Sequence, residues 1–158
     1  MPIQIDSITT FPQFIPELAS WHDQEWRHLN PTEYTIDFRM KEYEQCLSST
    51  KIPMMLVAHE NDRPLGSVRL INNDMDTHLE WFPWMASLFV HKDLRGKGIG
   101  TSLIKAIEQK ARSFGYDKLY LFTEDQHALY KKLGWQILVN ETYYGENISV
   151  MIRDLTSL

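Results

Sequence analysis

The chain has one cysteine, no long apolar run and no surplus of basic residues, and each shortage removes a class of function. Cys46 is alone among 158 residues, so no internal disulfide forms, and the pattern suits a reducing, cytoplasmic setting. No His or Lys flanks it, so it reads as a small side chain on a helix rather than a nucleophile. No stretch approaches the ~20 apolar residues of a membrane span. The opening segment MPIQIDSITTFPQF has neither a basic region nor a long apolar core, which predicts no secretory leader. Sixteen Lys and Arg against 21 Asp and Glu give a net charge of -5, which argues against nucleic acid and suits a cationic ligand. Repeats, low-complexity tracts and Gly/Ser linkers are missing too. With 43% hydrophobic content, the length points to one domain over residues 1–158.

What is present alternates between strand and helix patterns. IQI (3–5) reads as a short strand. Leu18, Trp21, His22 and Trp26 follow helical spacing after Pro16, and TIDFRMKEYEQCL (35–47) suggests a second helix. MMLVAHE (54–60) and LGSVRLI (65–71) flank the turn sequence NDRP and predict a hairpin. WMASLFV (84–90) is a short apolar run, as in a strand covered on both faces. Ile99, Leu103, Ile107, Ala111 and Phe114 form a helical stripe, with Lys105, Glu108 and Arg112 expected to point elsewhere and Gly115 as the stop. KLYLFT (118–123), QHALYKKL (126–133), WQIL (135–138) and NISVMIRDL (147–155) read as strand, helix, strand and strand. That order is mixed α/β, with one parallel crossover near the middle.

Between the apolar strand and the amphipathic helix lies HKDLRGKGIGTS (91–102). Gly96, Gly98 and Gly100 give GxGxG, which fits neither the dinucleotide fingerprint GxGxxG nor the Walker A loop GxxxxGK[ST]. Spacing alone suits a tight strand-to-helix turn equally well. The bare backbone ahead of a helix N-terminus, joined by Arg95 and Lys97, favours a cradle for an anionic, phosphate-bearing group.

Arg95-x-x-Gly98-x-Gly100 resembles the R/Q-x-x-G-x-G/A signature of the GNAT N-acetyltransferase superfamily. QHALYKKLGW (126–135) resembles that family's later A-x-x-L-Y-x-x-x-G-F/W signature, and the likeness spans about residues 50–155. The resemblance implies a single N-acetyltransferase domain with a mixed, mostly antiparallel sheet and helices on both faces. It also implies acetyl-CoA as co-substrate and a homodimer as one assembly the family forms; no metal is expected, since the histidines lack ligand spacing. By residue, it implies that Arg95, Gly96, Lys97, Gly98, Ile99, Gly100 and Thr101 wrap the pyrophosphate. Leu88, Phe89 and Val90 would lie along the pantetheine arm, in a gap beside the strand 118–123. Tyr130 matches the tyrosine that serves the family as general acid. At Thr123 the chain departs from the family's frequent asparagine, and that residue's role is not carried over.

The amine that attacks must lose a proton. Glu80 is the first candidate base, with His78 second and Glu124, Asp125 or a water relay as further choices. DMDTHLE (74–80) gathers three carboxylates and a histidine near the expected acceptor mouth. Trp21, Trp26, Tyr34, Trp81, Phe82 and Trp84 supply aromatics for an acceptor pocket or for core, with Trp84 expected in the core. His22, His28 and His59 lack metal-ligand spacing. The resulting expectation is acetyl transfer to the primary amine of a small molecule, with no membrane partner. The alternatives are a protein N-terminal or lysine acetyltransferase and a non-catalytic coenzyme A-binding regulator.

Overall fold

The computed structural model describes residues 2–158. Seven strands form one sheet in the order β1-β2-β3-β4-β5-β7-β6. They are β1 (Gln4–Ser7), β2 (Met54–Glu60), β3 (Arg63–Ile71), β4 (Trp84–Val90), β5 (Lys118–Thr123), β6 (Gln136–Tyr143) and β7 (Glu146–Asp154). Every neighbouring pair is antiparallel except β4 with β5. The helices are α1 (Ile15–Trp26), α2 (Ile36–Glu44), α3 (Ile99–Ser113) and α4 (His127–Lys132). The expected parallel crossover is therefore the β4–α3–β5 unit.

Strand alternation divides the core between the two faces of the sheet. Along β2, Leu56 and Ala58 face the layer containing Leu103, Ile104 and Ile107 of α3. Met55 and Val57 point the other way, onto Leu18 and Ala19 of α1 and Tyr43 of α2. On that second face, further along the sheet, Trp84, Tyr120 and Val150 pack with Met75 from the loop 72–83. Burying each large aliphatic side chain contributes about 1.5–3 kcal/mol, so a one-residue slip of any central strand would be costly.

Most sequence boundaries hold, and the departures have physical causes. The β2–β3 turn is only Asn61 and Asp62, both with positive φ, and Arg63 and Pro64 already belong to β3. The last hairpin is longer than expected, because β6 runs from Gln136 to Tyr143 as a largely exposed edge strand with little apolar signal. Glu108 does not point away from the core. It is 3% exposed, accepting from Trp135 Nε1 at 3.0 Å and lying 3.5 Å from Arg153 Nε.

Candidate active site

A single residue pair, Trp84 with Tyr120, joins β4 to β5, helped by Tyr120 N donating to Pro83 O at 3.0 Å. Past that pair the ladder stops. Opposite Ser67 and Arg69 the register of β4 shifts, and Ser87 adopts a φ of 54°. An extra residue of this kind bends its strand. The resulting gap is a cleft of about 470 Å³, with Leu88, Phe89 and Val90 on one wall and Leu121 to Gln126, Leu129 and Tyr130 on the other.

One end of the cleft is made by the glycine loop. Gly96 and Gly98 have φ values of 80° and 85°, and Gly98 is the N-cap of α3 with no side chain capping it. Only the amide of Ser102 reaches back to Gly98 O, at 3.1 Å, so the amides of Ile99, Gly100 and Thr101 remain free for a ligand. A Cβ at Gly96 or Gly98 would meet nothing of the protein within 4 Å; the space beside both is open. Arg95, Gly96, Gly98, Ile99, Gly100 and Thr101 all line the cleft, whereas Lys97 does not. Arg95 folds back: its Nε donates to Val90 O at 2.9 Å and its Nη2 lies 3.6 Å from Glu25. The free donors, the helix dipole and one cation suit an anionic group such as a pyrophosphate.

Tyr130 stands in the facing wall on α4, 6% exposed, with its ring 5.9 Å from that of Trp135. No protein group among the described residues bonds its hydroxyl. Burial, then the nearby Asp125 charge, pushes its pKa well above the ordinary phenol value, so its hydroxyl stays protonated throughout the neutral range. Thr123 Oγ1 accepts from Gln126 N at 3.0 Å and holds the start of α4. Thr123 thus has a structural task.

The other end of the cleft is unusually polar for its depth. His22 is fully buried on α1. Ser67 Oγ donates to Ser87 O at 3.1 Å, so it accepts from His22 Nε2, 2.9 Å away. His22 Nδ1 then accepts from Tyr43 Oη at 2.7 Å, and Tyr43 Oη accepts from Arg39 Nη1 at 3.3 Å. The chain of bonds runs in one direction and assigns the neutral Nε2–H tautomer. Burial and the Arg69 and Arg39 charges hold the His22 pKa well below its usual value, in agreement. Its terminus is the carbonyl of the bulged Ser87, so the network fixes the backbone at the bend.

Arg39 and Arg69 line this end together with Trp26, Asn30, Tyr34 and Asp74. Burial pushes the Asp74 carboxyl up to about 7, with the Arg69 charge opposing the rise and Glu42 adding to it. Asp74 lies in the acidic segment DMDTHLE, but Glu80 of that segment is not brought to the cleft. Glu80 is 63% exposed and 3.6 Å from His78 Nδ1. His78 is occupied by Glu141 at 2.6 Å and stacked on Trp81. Glu124 and Asp125 do line the cleft, with Glu124 Oε1 2.8 Å from His28 Nε2. Of the aromatics, Trp26 and Tyr34 reach the cleft, Trp84 is core, Trp81 stacks on Tyr120 and Phe82 is exposed. The arginines and the Ser87 bulge were not singled out from sequence. The one signal was a charged residue, Arg69, between Val68 and Leu70 in the interior of a strand.

No three His, Cys, Asp or Glu side chains among the described residues form a metal-holding group. No helix among them is long and apolar enough to cross a membrane. The gap between the parallel strands β4 and β5 stands where the resemblance to the GNAT family implied it. The model of the Acetyltransferase (GNAT) family matches residues 15–135, and the chain belongs to that family. The structure of yncA from Salmonella typhimurium with its cofactor acetyl-CoA superposes with a TM-score of 0.74, covering 97% of this chain and 94% of that one at 20% identity. An aminoglycoside 6'-N-acetyltransferase complexed with coenzyme A gives 0.74 over 98% and 97% of the two chains at 18% identity. At such identities the likeness shows the fold. N-alpha-acetyltransferase 80 of Mus musculus is 39% identical over 51 residues, 32% of this chain and 16% of that relative's length.

Proposed function

We propose that this chain transfers the acetyl group of acetyl-CoA directly to the primary amine of a small molecule. The observation that carries the reading is one cleft with the uncapped start of α3 at one end and Tyr130 in its wall. Acetyl-CoA supplies the acyl group already activated as a thioester. The amides of Ile99, Gly100 and Thr101, with Arg95, bind its phosphates. Leu88, Phe89 and Val90 offer the backbone edge that β5 leaves unpaired past Tyr120. Amides near the Ser87 bend are the donors available to a carbonyl oxygen that gains charge. Tyr130 Oη gives its proton to the departing sulfur and regains one released by the acylated nitrogen. Because burial makes it the weaker acid, the transfer needs direct contact with the sulfur.

Asp74 is the carboxylate we assign to the amine's proton. It lies in the cleft wall with a pKa near neutrality, where a base is most effective. Glu80 is exposed and lies outside the cleft. A second reading, acetylation of a protein N-terminus, is favoured by the likeness to N-alpha-acetyltransferase 80. Free thiol release from acetyl-CoA, followed over a panel of small amines and short peptides, tests both readings. Turnover that falls in Tyr130→Phe supports the assignment. Coenzyme A binding without turnover on any amine makes the chain a binding domain, and no binding at all defeats the reading.

A further inference from the structure

Two guanidiniums lie in the floor of the acceptor end without a carboxylate to neutralise them. Arg39 and Arg69 are 3% and 6% exposed, and neither forms an ion pair among the described residues. Arg39 gives one terminal nitrogen to Asn30 Oδ1 at 2.7 Å and the other to Tyr43 Oη at 3.3 Å, and its Nε is buried and unbonded. Arg69 Nε donates to Ser87 Oγ at 2.9 Å, and its guanidinium lies over the Tyr43 ring, 4.7 Å away. Its two terminal nitrogens meet no protein acceptor and are not sealed in the interior, so they open onto the cleft that Arg69 lines.

Burying an arginine in this state is expensive unless something pairs with it. Aromatic faces and hydroxyls offset part of the cost. Asp74 and Glu42 temper the charge from a distance, but neither is within ion-pair range, and Glu42 already accepts from the Tyr34 hydroxyl. A fork of free N–H donors is matched to a carboxylate. Because Arg69 is bonded to the bulged Ser87 itself, an anion held there sits beside the point where β4 bends.

We infer that the acceptor is a primary amine carrying a carboxylate only a few bonds from its nitrogen, as an amino acid does, and that Arg69, backed by Arg39, binds that carboxylate. This rests on the acetyl-transfer reading above. It reverses the expectation of a cationic ligand drawn from the net charge. Exposed charges elsewhere on the chain are screened within about 8–10 Å, whereas these two lie inside the cleft. A polycationic amine would meet both guanidiniums unshielded.

The test compares amino acids with their carboxamides, pairs of the same shape that carry or lack the carboxylate, at a pH above the amine pKa of both, as acceptors for the wild-type protein and acetyl-CoA. Free thiol release should favour the acid about tenfold or more in kcat/KM. The ratio should fall towards one in Arg69→Gln and recover in part in Arg69→Lys. Carboxamides that match their acids, a ratio that survives Arg69→Gln, or turnover confined to amines without a carboxylate overturns the inference. So does acetylation of acidic peptides with none of free amino acids. Should Arg69→Gln not fold, the wild-type ratio decides. If coenzyme A binds and no amine turns over, the transfer reading fails, and calorimetry with N-acetylamino acids and their amides judges the subsite. Tighter binding of the acid sustains the subsite, and equal binding removes it.

Discussion

Trp135 Nε1 donates to Glu108 Oε2 across 3.0 Å, tying α3 to the residue just before β6. Both side chains are buried, and Arg153 approaches the same carboxylate oxygen at 3.5 Å. Burial pushes the Glu108 pKa up, against the pull of Arg153 and the Trp135 bond. Trp135→Phe should lower unfolding free energy by about 1–3 kcal/mol, from the lost bond and the space left behind. Glu108→Gln, which keeps an acceptor for Trp135, should cost less than Glu108→Ala. Urea unfolding of the three variants measures both comparisons.

Gly98 and Gly115 stand just before and just after α3 with φ values of 85° and 95°, and a Cβ would meet no atom within 4 Å at either. Alanine at either position should cost about 1 kcal/mol of stability through the left-handed conformation. Only Gly98 borders the cleft. Gly98→Ala should therefore weaken coenzyme A binding about tenfold or more, because its methyl enters the cradle, and Gly115→Ala should leave the affinity within about twofold. Equal affinities in calorimetry would remove the glycine loop from the binding site.

Burial of Tyr130 has a consequence for the alkaline limb of the rate profile. An ordinary phenol loses its proton near pH 10, but this one is held above that value. Activity should show no decline attributable to Tyr130 up to about pH 10. Tyr130→Phe should lower kcat about 100-fold with coenzyme A affinity retained. A kcat that falls with the titration of an ordinary phenol would place the residue in water.

Asp74, as the proposed base, should set the acid side of the rate profile. Its folded-state pKa is about 7, raised from 3.8 by burial, and as a base it acts only when ionised. Activity should rise with pH through about 7, and Asp74→Asn should remove that limb along with most of the rate. Stability moves the opposite way. A carboxyl whose folded pKa is raised contributes fully below its unfolded value, and the contribution is lost as pH rises to about 7. Asp74→Asn should therefore gain on the wild type across pH 4–7 in unfolding experiments. Parallel pH curves for the two proteins would exclude a shifted Asp74.

The elements around the cleft were legible because their signals are local. WMASLFV and KLYLFT are apolar runs with polar flanks, and they coincide with β4 and β5. Gly98 and Gly115 bracket α3 as turn chemistry requires. The polar half of the site was not legible, because buried charge looks like solvated charge in a sequence. Arg39 on α2 and Arg69 on β3 become a pair only when α2 packs against the sheet. Nearness in the chain does not bring Glu80 to the cleft. The loop 72–83 turns so that Trp81 stacks on Tyr120 and Glu80 faces water, while Asp74, further back, reaches the cleft. Glu108 lies one turn from Ile104 and beside Ile107, at the edge of the α3 stripe, where only the distant Trp135 decides its burial.

The lone Trp84–Tyr120 pair makes the sheet two panels on one hinge, β1 to β4 on one side and β5 to β7 on the other. Acetyl-CoA lying in the cleft as proposed would act as mortar between them, bonding to strand edges that the chain leaves bare. Without it the panels should exchange amide hydrogens as two blocks, and with coenzyme A bound, as one. Ligand affinity and the cooperativity of the whole sheet are then set at the same seam.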